Sequence, residues 1–487
     1  MPGKNASQFT KKLHLKGRAR PLPLRGGLVY NDNPFYLNEK ESVPLFSNRD
    51  LRRLLVPLIL EQLLSGFMGI ADTLMVGRVG DTALSAVSCV DAINNLVFYL
   101  LSAAATGGTI VCAQFLGRKE RDNAIRAAKQ VYLLSLGISV LISAICIPLR
   151  RPLLRLIFGR VEPAIMSQAL DYFLITALSY PFLALQQTSA AQFRAGGEAK
   201  LPMLVTALAN AVNIGGNALF IFGLHMGVAG AALSTLLCRA LNAVVLMACQ
   251  RQESRPIPVR GYRAIRPEGK LLLNILRIAL PNGAEYALFQ LGRLLVQSTV
   301  ATLGTAAIAA QAMTSTLDTI GSVPGMAVGM GTLTVVGQCM GAGRVDEAKR
   351  YTRKLCAISW STLTVLSLVL LAASGPICRL GGLSADAAQL TVRLLLYITI
   401  AKALFWVPSF TLPNTLRASG DVAYTAIVSA ASMWCFRVLM SAVLCRGLGF
   451  GLEGVWLPWF ADWVCRTTFY VGRYRSGRWQ SKRVLGR

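Results

Sequence analysis

From Leu54 to about Val471 the chain repeats one pattern, in which apolar runs of roughly 20 residues are separated by short clusters of charge, glycine or proline. Twelve such runs begin near Arg52, Thr82, Ile125, Ser167, Ala199, Gly227, Leu271, Ala306, Tyr351, Gln389, Val422 and Gly451. As an α-helix, a run of that length crosses about 30 Å of hydrocarbon. Alternating apolar and polar segments of about ten residues, the mark of a transmembrane β-barrel, are absent. The pattern therefore predicts an all-α integral membrane protein with twelve transmembrane helices.

The second half repeats the first. Shifted by 224 positions without gaps, Pro57 meets Pro281, Glu61 meets Glu285, Gly107 meets Gly331, Gln114 meets Gln338 and Gly117 meets Gly341. FRAGGE (Phe193–Glu198) resembles LRASGD (Leu416–Asp421). Six helices per half is an even number, so both halves start on one side of the membrane. They should form two six-helix bundles related by a pseudo-two-fold axis along the membrane normal. The expected division is a basic tail over 1–50, a bundle over 51–249, a linker over 250–270, a second bundle over 271–472 and a basic tail over 473–487.

Charge selects the side. Arg118, Lys119, Arg121, Arg126 and Lys129 follow the second run, and Arg251, Arg255, Arg260, Arg263, Arg266 and Lys270 fill the linker. Arg344, Lys349, Arg350, Arg353 and Lys354 follow the eighth, and Arg473, Arg475, Arg478, Lys482 and Arg483 the last. All lie on the side of the basic N-terminus, so both termini are expected in the cytoplasm of a cell-membrane protein. Only Arg150, Arg151, Arg155 and Arg160 fall on the other side.

Composition narrows the alternatives. The chain is 54% hydrophobic and only 15% charged, which excludes a string of soluble domains. Its net charge of +27 sits between apolar runs as loop anchors, so no nucleic-acid partner is expected. Its eleven cysteines mostly lie within apolar runs and contain no C-x-x-C pair. They read as small buried hydrophobes, not disulfides or metal ligands. Only His14 and His225 are present, which leaves no imidazole-rich metal site. The tail over 1–50 is polar and interrupted by Pro and Gly, and reads as disordered chain touching anionic lipid. Asn5-Ala6-Ser7 fits a glycosylation sequon but carries no meaning in a cytoplasmic tail.

Two acids stand inside the first apolar run. Glu61 and Asp72 are eleven residues apart, about three turns plus 20°, so they share one face at depths about 16 Å apart. Carboxylates at such depth are costly and mark function. The repeat separates them: Glu61 has a mate in Glu285, whereas Asp72 aligns with Val296. Asn213 and Asn217, one turn apart, align with Arg437 and Ser441, and Thr235 aligns with Trp459. The first half therefore concentrates Asp72, Asn213, Asn217 and Thr235, suiting a single ion site. Glu61 and Glu285, shared by both halves, suit substrate binding. Pro57 is positioned to bend the first helix. Asp91 and Asp318 read equally well as structural pairs, and Asp462 and Arg466 as a local pair.

The segments VPLILEQLLSGFMGIADTLMVGRVGDTALSAVS, GGTIVCAQFLGRKERDNA, FRAGGEAKLPM, NIGGNALFIFG and HMGVAGAALST resemble the MATE family, the multidrug and toxic compound extrusion antiporters. The resemblance runs over roughly residues 50 to 470, once per half. It implies that Asp72 is the coupling aspartate of the first span, and that Asn213, Asn217 and Thr235 are its polar network in the fifth and sixth. Many relatives carry an aspartate at the place of Asn217, so this site has one fewer negative charge. Glu285 matches the span-seven glutamate of one branch, and Trp406 stands near that branch's second acid.

The expected function is a monomeric secondary antiporter that exports cationic or amphipathic drugs in exchange for H⁺, or Na⁺, by alternating access. No cofactor is expected beyond that ion. A flippase of lipid-linked precursors is the alternative, although such carriers usually have additional spans. GFGLEG (Gly449–Gly454) fits a dinucleotide fingerprint but lacks a preceding strand, and no phosphate-binding P-loop or catalytic triad is present. Neither an ATPase nor another enzyme is indicated. No polar stripe marks a channel.

Overall fold

The computed structural model describes residues 44–159, 162–262, 265–482 and 484. His14, the sequon at Asn5, Arg160, Arg263, Arg483 and most of the expected N-terminal tail lie outside the described residues.

The first helix, α1 (Asn48–Gly77), starts three residues before the expected boundary because its cap is complete. Asp50 N–H donates to Ser47 Oγ, and Ser47 N–H donates to Asp50 Oδ2, a reciprocal pair that satisfies two otherwise orphaned donors. The helix runs through Pro57 without a break. There follow α2 (Asp81–Gly117), α3 (Arg121–Phe158), α4 (Pro163–Leu178) and α5 (Tyr180–Ala195), the last two forming one rod bent by 45°. α6 (Lys200–Asn217) continues through a π-helical turn, Ala218–Gly223, and α7 (Gly227–Gln250) closes the first half.

The second half repeats this order. α8 (Gly269–Ala301), α9 (Thr305–Gly341) and α10 (Val345–Leu380) precede α11 (Ala385–Ala401), which joins α12 (Leu412–Ser419) through the π-helical segment Lys402–Thr411. α13 (Val422–Ser432) extends through two further π-helical segments, Met433–Met440 and Val443–Gly447, before α14 (Glu453–Arg475). Among the described residues no strand occurs. Among the described residues nine rods are apolar and long enough to span alone, and the bent pair makes a tenth. α8 and α14 complete the twelve; they carry Glu285 and Arg293, and Asp462 and Arg466, within their length. α14 runs three residues past the expected start of the C-terminal tail. Arg473 pairs there with Asp421, and Trp479, fully buried, stacks on Tyr474 at 5.3 Å.

The halves meet about a pseudo-two-fold axis that passes between the ends of α2 and α9. A Cβ added to Gly117 would lie 2.0 Å from the Gln338 carbonyl oxygen, and one added to Gly341 would lie 2.0 Å from that of Gln114. Gln114 Nε2 donates to Ala418 O across the seam, and Gln338 Nε2 donates to Ala195 O, each at 2.8 Å. Gly107 lies against Ile275 and Ala279 of α8, and Gly331 against Leu55 and Leu58 of α1. Small residues at these crossings let backbones approach closely, the usual basis of helix association in membranes. The connection from Gln250 to Gly269 reaches this same end of the molecule, hereafter the linker end. It is tied to α3 by Arg121 Nη2 donating to Glu253 O and Arg255 O, and by Arg126 pairing with Glu268 at 2.6 Å.

Candidate functional site

Asp72 lies in the half of α1 away from the linker end, beside α6. Asn217 Nδ2 donates to Asp72 Oδ1 at 2.5 Å and also lies 3.5 Å from Asn213 Oδ1. Ser234 Oγ donates to the Asn213 carbonyl at 2.8 Å, closing the network onto α7. Gly216 permits this approach, because a Cβ there would sit 2.5 Å from Ser234 Oγ. The helix turns π-helical immediately after Asn217, a local unwinding common at functional positions. Asp72, Asn213 and Asn217 are thus brought together from two helices. Thr235 is buried one residue beyond Ser234, and Ser234 makes the bonds to Asn213.

The two repeated glutamates occupy equivalent surroundings, different from those of Asp72. Arg194 Nη1 donates to Glu61 Oε1 at 3.0 Å, and Arg417 Nη2 lies 2.7 Å from both carboxylate oxygens of Glu285. Both pairs are buried. The arginines belong to FRAGGE and LRASGD, and the acids of those motifs pair instead with Arg255 and Arg473. Each motif therefore anchors its helix twice. The pairing leaves neither glutamate's charge uncompensated, so attraction of a cation by Glu61 or Glu285 requires the arginine to move aside.

The second half has no counterpart to the Asp72 network among the described residues. At the position of Asn213 stands Arg437, whose Nε donates to Asp462 Oδ2 at 2.6 Å; Arg466 holds Asp462 Oδ1 at 2.8 Å. Arg437 also faces the ring of Trp459, the residue at the position of Thr235, at 4.3 Å. Lys402 pairs with Asp318 at 2.9 Å. Trp406 fills the space above Gly325, where a Cβ would meet its ring at 2.2 Å.

Sequence reasoning named Asp91 but left it as equally well a structural acid, without its partners. Asp91 of α2 accepts from Asn94 Nδ2 at 3.1 Å and Tyr172 Oη at 3.3 Å, and Tyr180 Oη donates to Asn94 Oδ1 at 2.8 Å. Arg239 of α7, one turn beyond Thr235, donates to Ser179 Oγ at 2.6 Å. The signal available was the one applied to Asp72: Asp91 also lacks an acidic mate, aligning with Ser315. Among the described residues no group of three or more His, Cys, Asp or Glu side chains is arranged to hold a metal ion.

Comparison with known proteins agrees with the repeat and the two-bundle fold. The profile of the MatE family matches residues 57–219 and again 281–443, two copies in the register of the repeat. An uncharacterized transporter of Bacillus subtilis (strain 168), YisQ, is 28% identical over 433 residues, covering 88% of this chain and 94% of the relative. A probable multidrug resistance protein, NorM, of Thermotoga maritima is 25% identical, covering 92% and 96%. The solved structure described as the outward-facing conformation of a multidrug resistance MATE family transporter has a TM-score of 0.82 at 19% identity, with 88% of this chain and 96% of that one covered. A transporter of the same superfamily from Pyrococcus furiosus, also 19% identical, has a TM-score of 0.80, with 89% and 96% covered. At such identity the structures establish the shared two-bundle fold.

Proposed function

The chain belongs to the MATE family, and on that premise we propose that it is a secondary antiporter exporting cationic, amphipathic drugs or toxic compounds in exchange for H⁺. The observation that carries this reading is Asp72, a carboxylate bonded to Asn217 within one bundle and without an acidic mate in the other. A neutral carboxyl is far better tolerated than a carboxylate in a water-poor site, so loss of a proton there favours an incoming cation and gain of one releases it. Asn217 Nδ2 donates to the Asp72 carboxylate, a bond that protonation of Asp72 weakens, so a proton gained or lost there acts directly on α6. Asn213, Asn217 and buried Thr235 form the polar surround, and Pro57, across which α1 is continuous in this structure, is where α1 would bend during the cycle. Glu61 and Glu285 serve substrate binding when their arginines are displaced.

The basic residues at the linker end support a cytoplasmic placement of both termini. At that end the backbones of the two bundles meet, Gly117 against Gln338 and Gly341 against Gln114. That arrangement suits a monomer closed to the cytoplasm and opening outward, with lipid around it.

The test is drug export from proteoliposomes under an imposed pH or Na⁺ gradient, each applied alone. Export should follow the pH gradient, and Asp72→Asn should reduce it to the rate of protein-free vesicles. Export that follows only the Na⁺ gradient, or survives Asp72→Asn, refutes the reading. Lipid scrambling without drug export would point to a flippase.

A further inference from the structure

The span formed by α4 and α5 is broken at Ser179, and the break has a chemical result. Tyr172 lies before it and Tyr180 after it, and both reach α2, at Asp91 and Asn94 respectively. Those two residues are three apart and share a helix face. Ser179 itself, at the bend, holds the guanidinium of Arg239. The bend thus delivers two phenols and an arginine anchor to the space between α2 and α7, next to the Asp72 network.

The charges there do not resolve into pairs. Among the described residues Arg239 donates to Ser179, next to the Tyr180 that bonds Asn94 beside Asp91, it stands on α7 five residues beyond the Ser234 that bonds Asn213, and no ion pair joins it to either acid. The paired charges of this bundle, Glu61 with Arg194, balance each other. What remains is two carboxylates and one guanidinium, leaving one uncompensated negative charge.

We propose that Asp91 is the second carboxylate of the coupling site and that Arg239 is a counter-charge shared between it and Asp72. The inference rests on the antiport reading above. One shared arginine and two acids make a site that is neutral with a single proton or a single monovalent organic cation aboard. Tyr172 and Asn94 keep Asp91 hydrogen-bonded when Arg239 leans toward Asp72, and Asn217 does the same for Asp72 in the reverse case. The other titratable groups facing this space are Tyr172 and Tyr180 of the bent span, Cys146 of α3 and Cys238 of α7. None of these thiols or phenols needs to change charge in the cycle.

The experiment is ethidium binding to the purified full-length protein, followed by fluorescence as a function of pH. It requires no transport. The proton and the dye compete, so wild-type binding should rise with pH through a midpoint. Asp91→Asn leaves Arg239 to Asp72 alone, holds Asp72 charged to lower pH, and should move the midpoint down by about one unit or more. Arg239→Gln removes the cation between two acids and should move it up by a similar amount. The double variant should return close to the wild-type midpoint. Asp91→Ser, which places at this position the residue found at Ser315, is the second variant should Asp91→Asn fail to fold. A midpoint unchanged in the Asp91 variants while Arg239→Gln shifts it would leave Asp91 with a purely structural role and overturn the inference. Wild-type binding that shows no pH dependence would instead overturn the proton-exchange reading on which it rests.

Discussion

Gly117→Ala should destabilise the protein and break the seal between the bundles, although the same change in an ordinary helix is favourable. Replacing an interior helical glycine by alanine gains about 1 kcal/mol in backbone terms. Here the new methyl would stand 2.0 Å from the Gln338 carbonyl oxygen and 2.8 Å from its carbon. Both are backbone atoms, so no side chain can swing away, and α2 and α9 must separate by more than about 1 Å. Gly341→Ala meets the mirror-image obstacle, the carbonyl of Gln114. Separation stretches the bonds from Gln114 to Ala418 and from Gln338 to Ala195. Overpacking of this kind costs typically about 1–3 kcal/mol, so the sign of the expected effect is reversed. Thermal unfolding in detergent should show a lower midpoint for both variants. Gly66→Ala and Gly69→Ala, whose added methyls meet nothing within 4 Å, should be neutral or slightly stabilising. Drug export by the two seam variants should fall sharply. If all four substitutions behave alike, the close crossing is not what holds the bundles together.

Asp462→Asn is expected to have the larger effect on folding. Asp462 is fully buried and is the acid shared by Arg437 and Arg466. An asparagine keeps the shape but leaves two guanidinium charges buried near each other without a carboxylate. Breaking one side of a buried ion cluster costs about 3–5 kcal/mol, a large fraction of a typical folding stability. Arg466 retains its bonds to Ser429, so Arg437 carries most of the loss. Replacing Arg437 as well, as Asp462→Asn with Arg437→Leu, removes the stranded charge and should recover much of the stability. The yield of monodisperse protein in detergent and its unfolding midpoint measure both steps. A single variant as stable as wild type would mean that water reaches the cluster.

The hydrophobic pattern and the repeat made most of this fold legible. Every rod begins within a few residues of its expected start, and the glycines matched at a shift of 224, Gly107 with Gly331 and Gly117 with Gly341, prove to lie at the crossings. The caps were harder to read. Ser47 and Asp50 extend α1 backward, and a stacked tryptophan orders a stretch of the C-terminal tail. The π-helical segments left no mark in the apolar pattern, because one extra residue in a turn changes hydrogen bonding without changing hydrophobicity.

At the site, periodicity put Glu61 and Asp72 on one face, and the structure gives them neighbours on adjacent rods, Arg194 of α5 and Asn217 of α6. What periodicity cannot provide is the partner on another helix. The pairing of Glu61 with Arg194 was nonetheless within reach, since both acid and arginine recur in the second half as Glu285 and Arg417. Asp91 was harder, because its partner Tyr172 comes from the span bent at Ser179, where Arg239 of α7 is held.

The crossing of Gly117 against Gln338 and of Gly341 against Gln114 also sets a mechanical scale. It lies at one extremity of two helices, each 37 residues and therefore about 55 Å long. A fulcrum so placed makes each helix a lever with nearly all its length on one side. Rotation by about 10° there carries the opposite extremity through about 10 Å, close to the diameter of a helix. An adjustment too small to pull the backbones apart at the seam is enough to admit or shut out a whole molecule at the other end.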